Sequence, residues 1–269
     1  RDLIGGREAD VQLVVDGTDS NTAMVIVGYA NSIISKYQYD MMESEAQEKG
    51  YQIISPRVDL RERAWFNENL ISRNYYLPGV IASIVTIMSL LLTAMAIVRE
   101  KEIGTMEQLI VSPLRPIELI FGKLLPFGVI ALIQAGLITT VGIFWFHIPF
   151  RGSILLLILA ACVYLFTTLG AGLFISTIAS TQQEAMMSVF LFYMPTFLLS
   201  GFAYPIANMP WIIQQFTYIN PMRYFLVTIR GIFLKGVGID VLWTQFVPLL
   251  VIGLIVITLS VLRFSRRLA

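Results

Sequence analysis

Long apolar stretches separated by short polar connections dominate the chain after residue 76. Five of these stretches are long enough and free enough of charge to cross a hydrocarbon core, which needs about 20 apolar residues per helix. They lie at 77–98, 124–146, 153–178, 186–203 and 245–262. The pattern therefore predicts a membrane all-α helical bundle over 77–269 with five spanning helices.

Residues 1–76 have a different pattern. Val11–Val15 is a short apolar run, and a long helical pattern follows it as far as Lys49-Gly50. Apolar and polar residues then alternate over Arg57–Phe66, which is typical of a strand. Strand, helix and strand in this order are typical of a crossover unit between parallel strands. We therefore expect residues 1–76 to form a small, incomplete α/β domain.

Composition and charge exclude several classes of function. Of the 269 residues, 56% are hydrophobic and 14% are charged, against roughly 25% charged in a typical soluble domain. The 19 Lys and Arg residues nearly balance the 18 Asp and Glu residues, which leaves no basic field for nucleic acid. One cysteine, Cys162, and one histidine, His147, cannot assemble a Cys/His metal cluster. We predict no nucleic-acid partner and no metal site.

No catalytic constellation emerges from the sequence. The Gly122-Lys123 pair is followed by leucine, so the phosphate-cradling G-x-x-x-x-G-K-[ST] pattern is absent. The five apolar stretches contain no Asp, Glu, Lys, Arg or His, which ion-coupled carriers place at membrane depth. We expect the neutral polar residues of these stretches to bond to other helices or to their own backbone, and Gly170-Ala171-Gly172 to permit close packing. Those polar residues include Gln134, Thr139, Thr140, Thr167 and Thr168.

The distribution of Lys and Arg predicts the orientation. Segment 99–123 carries four basic residues and 263–269 carries three, whereas 204–244 spreads three over 41 residues. Because cytoplasmic connections carry the excess of positive charge, we place the first two segments, and with them the C-terminus, in the cytoplasm. Residues 1–76 and 204–244 then lie outside. Five spans with this orientation lead us to expect a further span before residue 1, which gives six in the intact protein.

The cytoplasmic connection begins with an amphipathic pattern. Ile103, Met106 and Ile110 fall on one helical face beside acidic residues, and Ser112-Pro113 ends the pattern. We predict a short helix over 99–111. Its acidic side chains suit an anionic lipid surface poorly, which favours docking into a protein groove over lying on lipid.

The outer connection predicts two short helices. Pro210 is placed to open the first, Asn220-Pro221 to end it and cap the second, and Lys235-Gly236 to close the second. Neither helix is long enough to span the membrane. One interpretation is a pair of surface-lying helices with Arg223 and Arg230 reaching lipid phosphates.

Several ordered motifs resemble one family. They are SRNYYLPG, REKEIGTMEQLIVSPLRPIELIFGKLLP, LSGFAYPIANMP and INPMRYFLVTIRGIFLKG. Together they are similar to the ABC-2 type permease family, specifically bacterial exporters with a large domain between the first and second spans. The resemblance covers residues 57–269 and extends toward residue 1. This sequence departs from the family pattern at its start, where the first span is not present.

The resemblance implies a six-span subunit in a bacterial inner membrane. It also implies a second permease subunit, identical or sister, and separate ATPase subunits that bind the ATP, so that the chain itself holds no cofactor. A periplasmic adaptor is a further candidate partner. The ATPase-coupling positions correspond to Glu100, Glu102, Ile103, Gly104, Met106, Glu107 and Ile110. The segment 204–236 resembles the family's re-entrant hairpin at the exit of the transport path, with Pro210, Trp211, Asn220, Pro221, Arg223 and Arg230 as its marker residues.

We therefore expect a permease subunit that exports substrate by alternating access and is not itself an enzyme. Nucleotide-driven closure of the ATPase subunits would push on 99–111, with Glu102 and Glu107 pairing with basic groups there. Two alternatives are an ion-coupled carrier and a membrane signalling or scaffold protein with an extracytoplasmic sensor domain. The charge-free spans argue against the carrier, and the coupling-helix sequence argues against the scaffold.

Overall fold

The first of two compact units contains a pair of strands and a long helix. The computed structural model describes residues 9–17, 20–49, 58–65, 71–104 and 116–268, and the units divide after Tyr75. Strand β1 (Ala9–Asp16) pairs in parallel with β2 (Val58–Trp65), and helix α1 (Ser20–Lys49) lies between them in the chain. The strand–helix–strand order follows the sequence pattern. The small, incomplete α/β domain expected over 1–76 stays a prediction.

The second unit is helical throughout its described residues. Its α-helices are α2 (Ser72–Ile103, which begins before the division), α3 (Pro116–Phe144), α4 (Ile154–Ile178), α5 (Gln182–Leu198), α6 (Trp211–Thr217), α7 (Pro221–Arg230) and α8 (Ile239–Leu268). A 3₁₀-helix, Ile206–Asn208, precedes α6, and a π-helix, Gly231–Lys235, follows α7. The predicted helical membrane bundle is therefore confirmed.

Four helices in the described part of the chain are long and apolar enough to cross a membrane. They are α2, residues 120–144 of α3, α4, and residues 239–263 of α8. The predicted span at 186–203 falls on α5, which has 17 residues and is about 26 Å long, and its predicted end is corrected because the helix ends at Leu198. Pro195 lies in its last turn, and the backbone leaves the helical direction at Gly201, where φ is 83°. Hydropathy alone extends the span past this turn.

Helix α4 packs closely on its neighbours where its side chains are smallest. A Cβ atom at Gly170 would lie 2.5 Å from Cγ1 of Ile257 on α8, and one at Gly172 would lie 2.8 Å from Cβ of Thr93 on α2. Both distances are too short for a real contact, so only glycine permits these helices to approach. The prediction of close packing at Gly170-Ala171-Gly172 is confirmed.

Neutral polar side chains connect α4 to α2 and α8. Ser89 Oγ donates to Thr168 Oγ1 at 2.9 Å, and Thr167 Oγ1 donates to the Leu249 carbonyl at 3.3 Å. The hydroxyls of Thr86 and Tyr164 are also hydrogen-bonded. The predicted helix-to-helix role is confirmed for Thr167 and Thr168.

Contacts between connections define the two ends of the bundle. The Arg151 amide donates to the Phe233 carbonyl at 3.1 Å, which places the α3–α4 connection beside the π-helix. At the other end of α4, Arg263 of α8 lies 5.6 Å from the ring centroid of Phe174. The end of α2 meets the α4–α5 turn at that same end. The end of α2 and Arg263, which are predicted to be cytoplasmic, thus lie at one end of the bundle. The π-helix, which is predicted to lie outside, is at the other end.

Candidate functional site

The end of α2 extends beyond the apolar part of the helix. Residues 99–103 continue α2 without a break, and Gly104, with φ of 83°, ends it in the left-handed conformation that glycine adopts most easily. The short helix predicted over 99–111 is therefore interrupted at Gly104, and its first five residues belong to α2. Met106, Glu107 and Ile110 lie outside the described residues. The described part of the predicted coupling segment is therefore a continuation of a candidate spanning helix.

Glu100 connects this end of α2 to α3. Its carboxylate forms an ion pair with the ammonium group of Lys123, and both side chains are partly buried. Glu100 is thus paired with a residue of its own chain. Lys123 was not among the predicted site residues, because no local pattern relates two positions on separate helices.

Lys101 connects the same end to α4. Its ammonium group donates to the carbonyl of Ser176 and, at 3.4 Å, to that of Ala179. The last carbonyls of an α-helix lack partners within the helix and carry partial negative charge. Lys101 therefore caps the C-terminus of α4. The sequence does not predict this contact, since nothing near Lys101 indicates which carbonyls it reaches.

Glu102 connects α2 to α5. The backbone amide of Gln182 donates to Oε1 of Glu102 at 2.8 Å, and Gln182 Nε2 donates to Oε2 at 2.5 Å. Gln182 is the first residue of α5, where amides lack helical partners and the dipole favours an anion. Glu102 itself stays exposed, so its predicted pairing with a partner protein stays a prediction.

The α4–α5 turn has its own capping contacts. The amide of Glu184 donates to Thr181 Oγ1 at 3.2 Å, and the amide of Ser180 donates to Glu184 Oε2 at 2.8 Å. These reciprocal bonds resemble a capping box and fix the start of α5. The turn is therefore ordered by its own residues as well as by α2.

The tip of α2, Ile103 and Gly104, exposes an apolar side chain and a glycine backbone. Ile103 is 63% exposed, and a Cβ atom at Gly104 would meet no atom of the described residues within 4 Å. An exposed isoleucine next to an uncrowded glycine permits another surface to approach closely.

The outer hairpin has the predicted helices. Pro210 is the N-cap of α6, Asn220 Oδ1 accepts from the Met222 amide at 3.0 Å to cap α7, and Pro221 is the first residue of α7. Gly236, with φ of 65°, closes the π-helix.

The two halves of the hairpin differ in burial. Phe225 and Ile229 of α7 are almost fully buried, whereas Trp211, Ile212 and Phe216 of α6 are exposed. A pair of surface-lying helices therefore does not describe α7.

Neither arginine of the hairpin is fully exposed: Arg223 contacts the α6–α7 turn, and Arg230 is partly buried. Arg223 Nη1 donates to Thr217 Oγ1, and its guanidinium lies 4.1 Å from the ring centroid of Tyr218. Burial raises the pKa of the Tyr224 phenol, against a lowering by Arg223, and this hydroxyl donates to the Tyr218 carbonyl at 2.7 Å. Arg230 is the last residue of α7 and is partly buried. Arg223 thus holds the α6–α7 turn.

An apolar cavity of about 270 Å³ lies between α2, α3, α4 and α7. Val85, Leu132, Ile158 and Phe225 line it, and the polar side chains of its lining are Thr139 and Thr140. Such a lining suits an apolar group rather than an ion. Within the described ranges, no group of three or more His, Cys, Asp or Glu residues could hold a metal ion.

Comparison with known proteins gives a consistent result. The profile of the ABC-2 family transporter proteins matches residues 1–262. The chain is 37% identical over 244 residues to the probable multidrug ABC transporter permease YbhR of Escherichia coli strain K12, covering 91% of this chain and 64% of that protein. It is 34% identical over 261 residues to YbhS of the same strain, a probable multidrug ABC transporter permease, covering 97% and 68%. It is 32% identical over 279 residues to the inner membrane transport permease YhhJ of that strain, covering 99% and 70%. The chain thus spans about two thirds of the length of these relatives.

Proposed function

Because the chain belongs to the ABC-2 family of transporter proteins, we propose that it acts as the permease subunit of an ATP-driven exporter. The single observation that carries this proposal is the family match over residues 1–262. The helical bundle with four candidate spans in its described part supports it.

We propose that the complete protein is a multi-pass protein of a bacterial inner membrane. Segments 99–123 and 263–269 face the cytoplasm, and 1–76 and 204–244 face outward. The excess of Lys and Arg in the first pair supports this orientation, as do the contacts that place the end of α2 and the π-helix at opposite ends of the bundle. The name of one relative, an inner membrane transport permease, supports the location.

In this proposal, ATP is bound and hydrolysed by separate ATPase subunits that dock on 99–111. The exposed Ile103 and the open space at Gly104 support a docking surface at the tip of α2. Since 99–103 continue α2, a force applied at the tip reaches the membrane helix directly. The permease itself needs no cofactor.

The transport cycle is alternating access in a dimer with a second permease subunit, and the hairpin 204–236 lies at the exit. We propose organic, amphipathic cargo. The charge-free apolar stretches, the apolar cavity between α2, α3, α4 and α7, and the names of two relatives as probable multidrug permeases support this class.

Reconstitution tests the proposal. The full-length protein is co-expressed with an ATPase encoded beside it, purified, and placed in vesicles with a fluorescent amphipathic cation as the probe. We expect co-purification and probe movement that requires ATP. The control is an ATPase whose phosphate-binding lysine is replaced. Movement driven by an ion gradient without ATP would instead establish a carrier.

One substitution tests the docking surface. Ile103→Asp places a charge in the interface with the ATPase, where an unpaired charge costs several kcal/mol. We expect loss of co-purification at normal membrane expression, whereas charge reversal at Glu107 has a smaller effect because rim ion pairs are screened. Normal assembly and transport by Ile103→Asp would show that this segment does not dock.

A further inference from the structure

Two consecutive residues of α2 hold both sides of one turn. Lys101 donates to carbonyls at the end of α4, and Glu102 accepts from the first amide and the side chain of α5. Only the turn 179–181 separates the two helices. A cation at a helix C-terminus and an anion at a helix N-terminus are each the favourable sign for the local dipole. The order Lys-Glu therefore matches the order in which α4 ends and α5 begins.

The polar contacts lie at the end of a packed apolar seam. Val98 of α2, Ile175 and Ala179 at the end of α4, and Ala185 of α5 are all buried and belong to one cluster. Movement of the α4–α5 turn along α2 would separate these side chains as well as break the polar contacts. The turn and the end of α2 are thus joined by two kinds of interaction at one place.

We call Lys101, Glu102 and the turn 179–181 the clamp. The clamp lies at the base of the predicted docking segment. Ile103 and Gly104 follow it directly and lead into the segment that the proposed function assigns to ATPase docking. Glu100, the residue before the clamp, instead contacts Lys123 of α3. Three consecutive charged residues therefore reach three different helices at the base of the docking segment.

We propose that Lys101 and Glu102 are positioning residues that make α2, α4 and α5 move as one body when the docking segment is displaced. This inference rests on the proposed function and deepens it. In this inference the clamp transmits the movement of the docking segment to α4 and α5. Without the clamp, a displaced tip would bend the end of α2 and leave α4 and α5 in place.

The test compares four variants of the complete protein with its ATPase subunits in lipid. Lys101→Met keeps the length of the side chain without the charge, Lys101→Arg keeps a cation, and Glu102→Ala removes the contacts to Gln182. Lys36→Met, at an exposed lysine of α1, is the matched control. Two readouts are taken: transport per ATP hydrolysed, and the distance distribution between spin labels at Arg99 and Met187 in a Cys162→Ser background.

We expect Lys101→Met and Glu102→Ala to broaden the label distance and to lower transport per ATP by roughly 2- to 30-fold, while assembly and ATP hydrolysis persist in Lys101→Met. Lys101→Arg should retain both properties. Glu102 is exposed, so its variant should fold even where Lys101→Met does not.

Unchanged label distances and unchanged transport per ATP in both variants, relative to Lys36→Met, would overturn the inference. Absence of ATP-driven transport in the unsubstituted protein would instead overturn the proposed function. In that case the label distances still decide whether the clamp fixes the turn.

Discussion

Helices α3 and α4 are both apolar, but they have opposite environments. Their predicted spans contain no charged residue. Yet 56% of the most apolar stretch of α4 is buried in the protein, against 17% for α3. Gly170 and Gly172 of α4 are crowded by α8 and α2, whereas a Cβ atom at Gly136 of α3 would meet nothing within 4 Å. Apolar composition therefore identifies membrane helices without distinguishing a central helix from a peripheral one.

The difference lies in small and neutral polar residues. Lipid tails are as apolar as leucine, so helices associate in a membrane through close packing and hydrogen bonds between helices. Thr167 and Thr168 of α4 take part in such bonds, whereas Thr140 of α3 bonds back to its own helix at the Gly136 carbonyl, 2.7 Å away. The same residue types thus have different roles on the two helices.

The strongest test of this comparison is a pair of glycine substitutions. Gly172→Leu would force a side chain against Cβ of Thr93 and the Leu90 carbonyl, and overpacking of this kind costs about 1–3 kcal/mol. We expect a lower temperature of unfolding in detergent, measured by size-exclusion chromatography after heating. Gly136→Leu is the matched control and should have little effect. An equal fall in the temperature of unfolding for both variants would show that α3 is as tightly packed as α4.

A second test removes a buried hydrogen bond on the interior face of α4. Tyr164 and Thr86 are both buried, so Tyr164→Phe or Thr86→Val leaves one hydroxyl without this partner, at a cost of about 1 kcal/mol. The double variant should lose less stability than the sum of the single ones. Thr140→Val, at an exposed position, is the control. Strict additivity in this cycle would contradict the pairing.

A smaller effect is expected where α3 meets the end of α2. Glu100→Gln or Lys123→Gln removes the ion pair, and pairs near the surface contribute about 0.2–1 kcal/mol. The loss of stability in either variant should be smaller at high salt, because salt screens partly exposed charges. Thermal unfolding at low and high potassium chloride measures both quantities. A salt-independent loss above that range would indicate a buried structural role.

Labelling provides a test with no expected change in stability. Spin labels at Ile212 and Phe216 of the exposed helix α6 are compared with one at Leu137 of α3 and one at Lys36 of α1. If the hairpin re-enters the outer leaflet, the α6 labels should resemble the Leu137 label, which oxygen reaches and water-soluble reagents do not. Accessibility equal to that at Lys36 would place α6 in water.

Local signals in the sequence predicted local structure. Pro210, Asn220-Pro221 and Gly236 mark helix ends because each acts through its own backbone conformation or through an adjacent amide. The span at 186–203 was drawn too long because a hydropathy window does not register the turn after Pro195.

Contacts between distant positions could not be predicted in the same way. Lys101 reaches the Ser176 carbonyl, and Glu102 accepts from Gln182, across 75 and 80 residues of chain. Both depend on how α2 lies against α4 and α5, which no periodicity encodes. The predicted pairing of Glu102 with a partner protein stays a prediction, and its contact with Gln182 inside the chain is not visible from the sequence.

The π-helix Gly231–Lys235 sets the position of the residue that follows it. A π-turn contains one residue more than an α-turn, so deletion of a single residue there would turn it into an α-turn and shift the path of the chain into Gly236. Gly236 lies so close to the Arg151 carbonyl that a Cβ atom would stand 2.9 Å from the oxygen, and such a shift would break this fit. The length of this segment therefore constrains the protein in addition to its buried side chains. Homologues that vary freely in sequence here should still keep the same number of residues between Arg230 and Gly236.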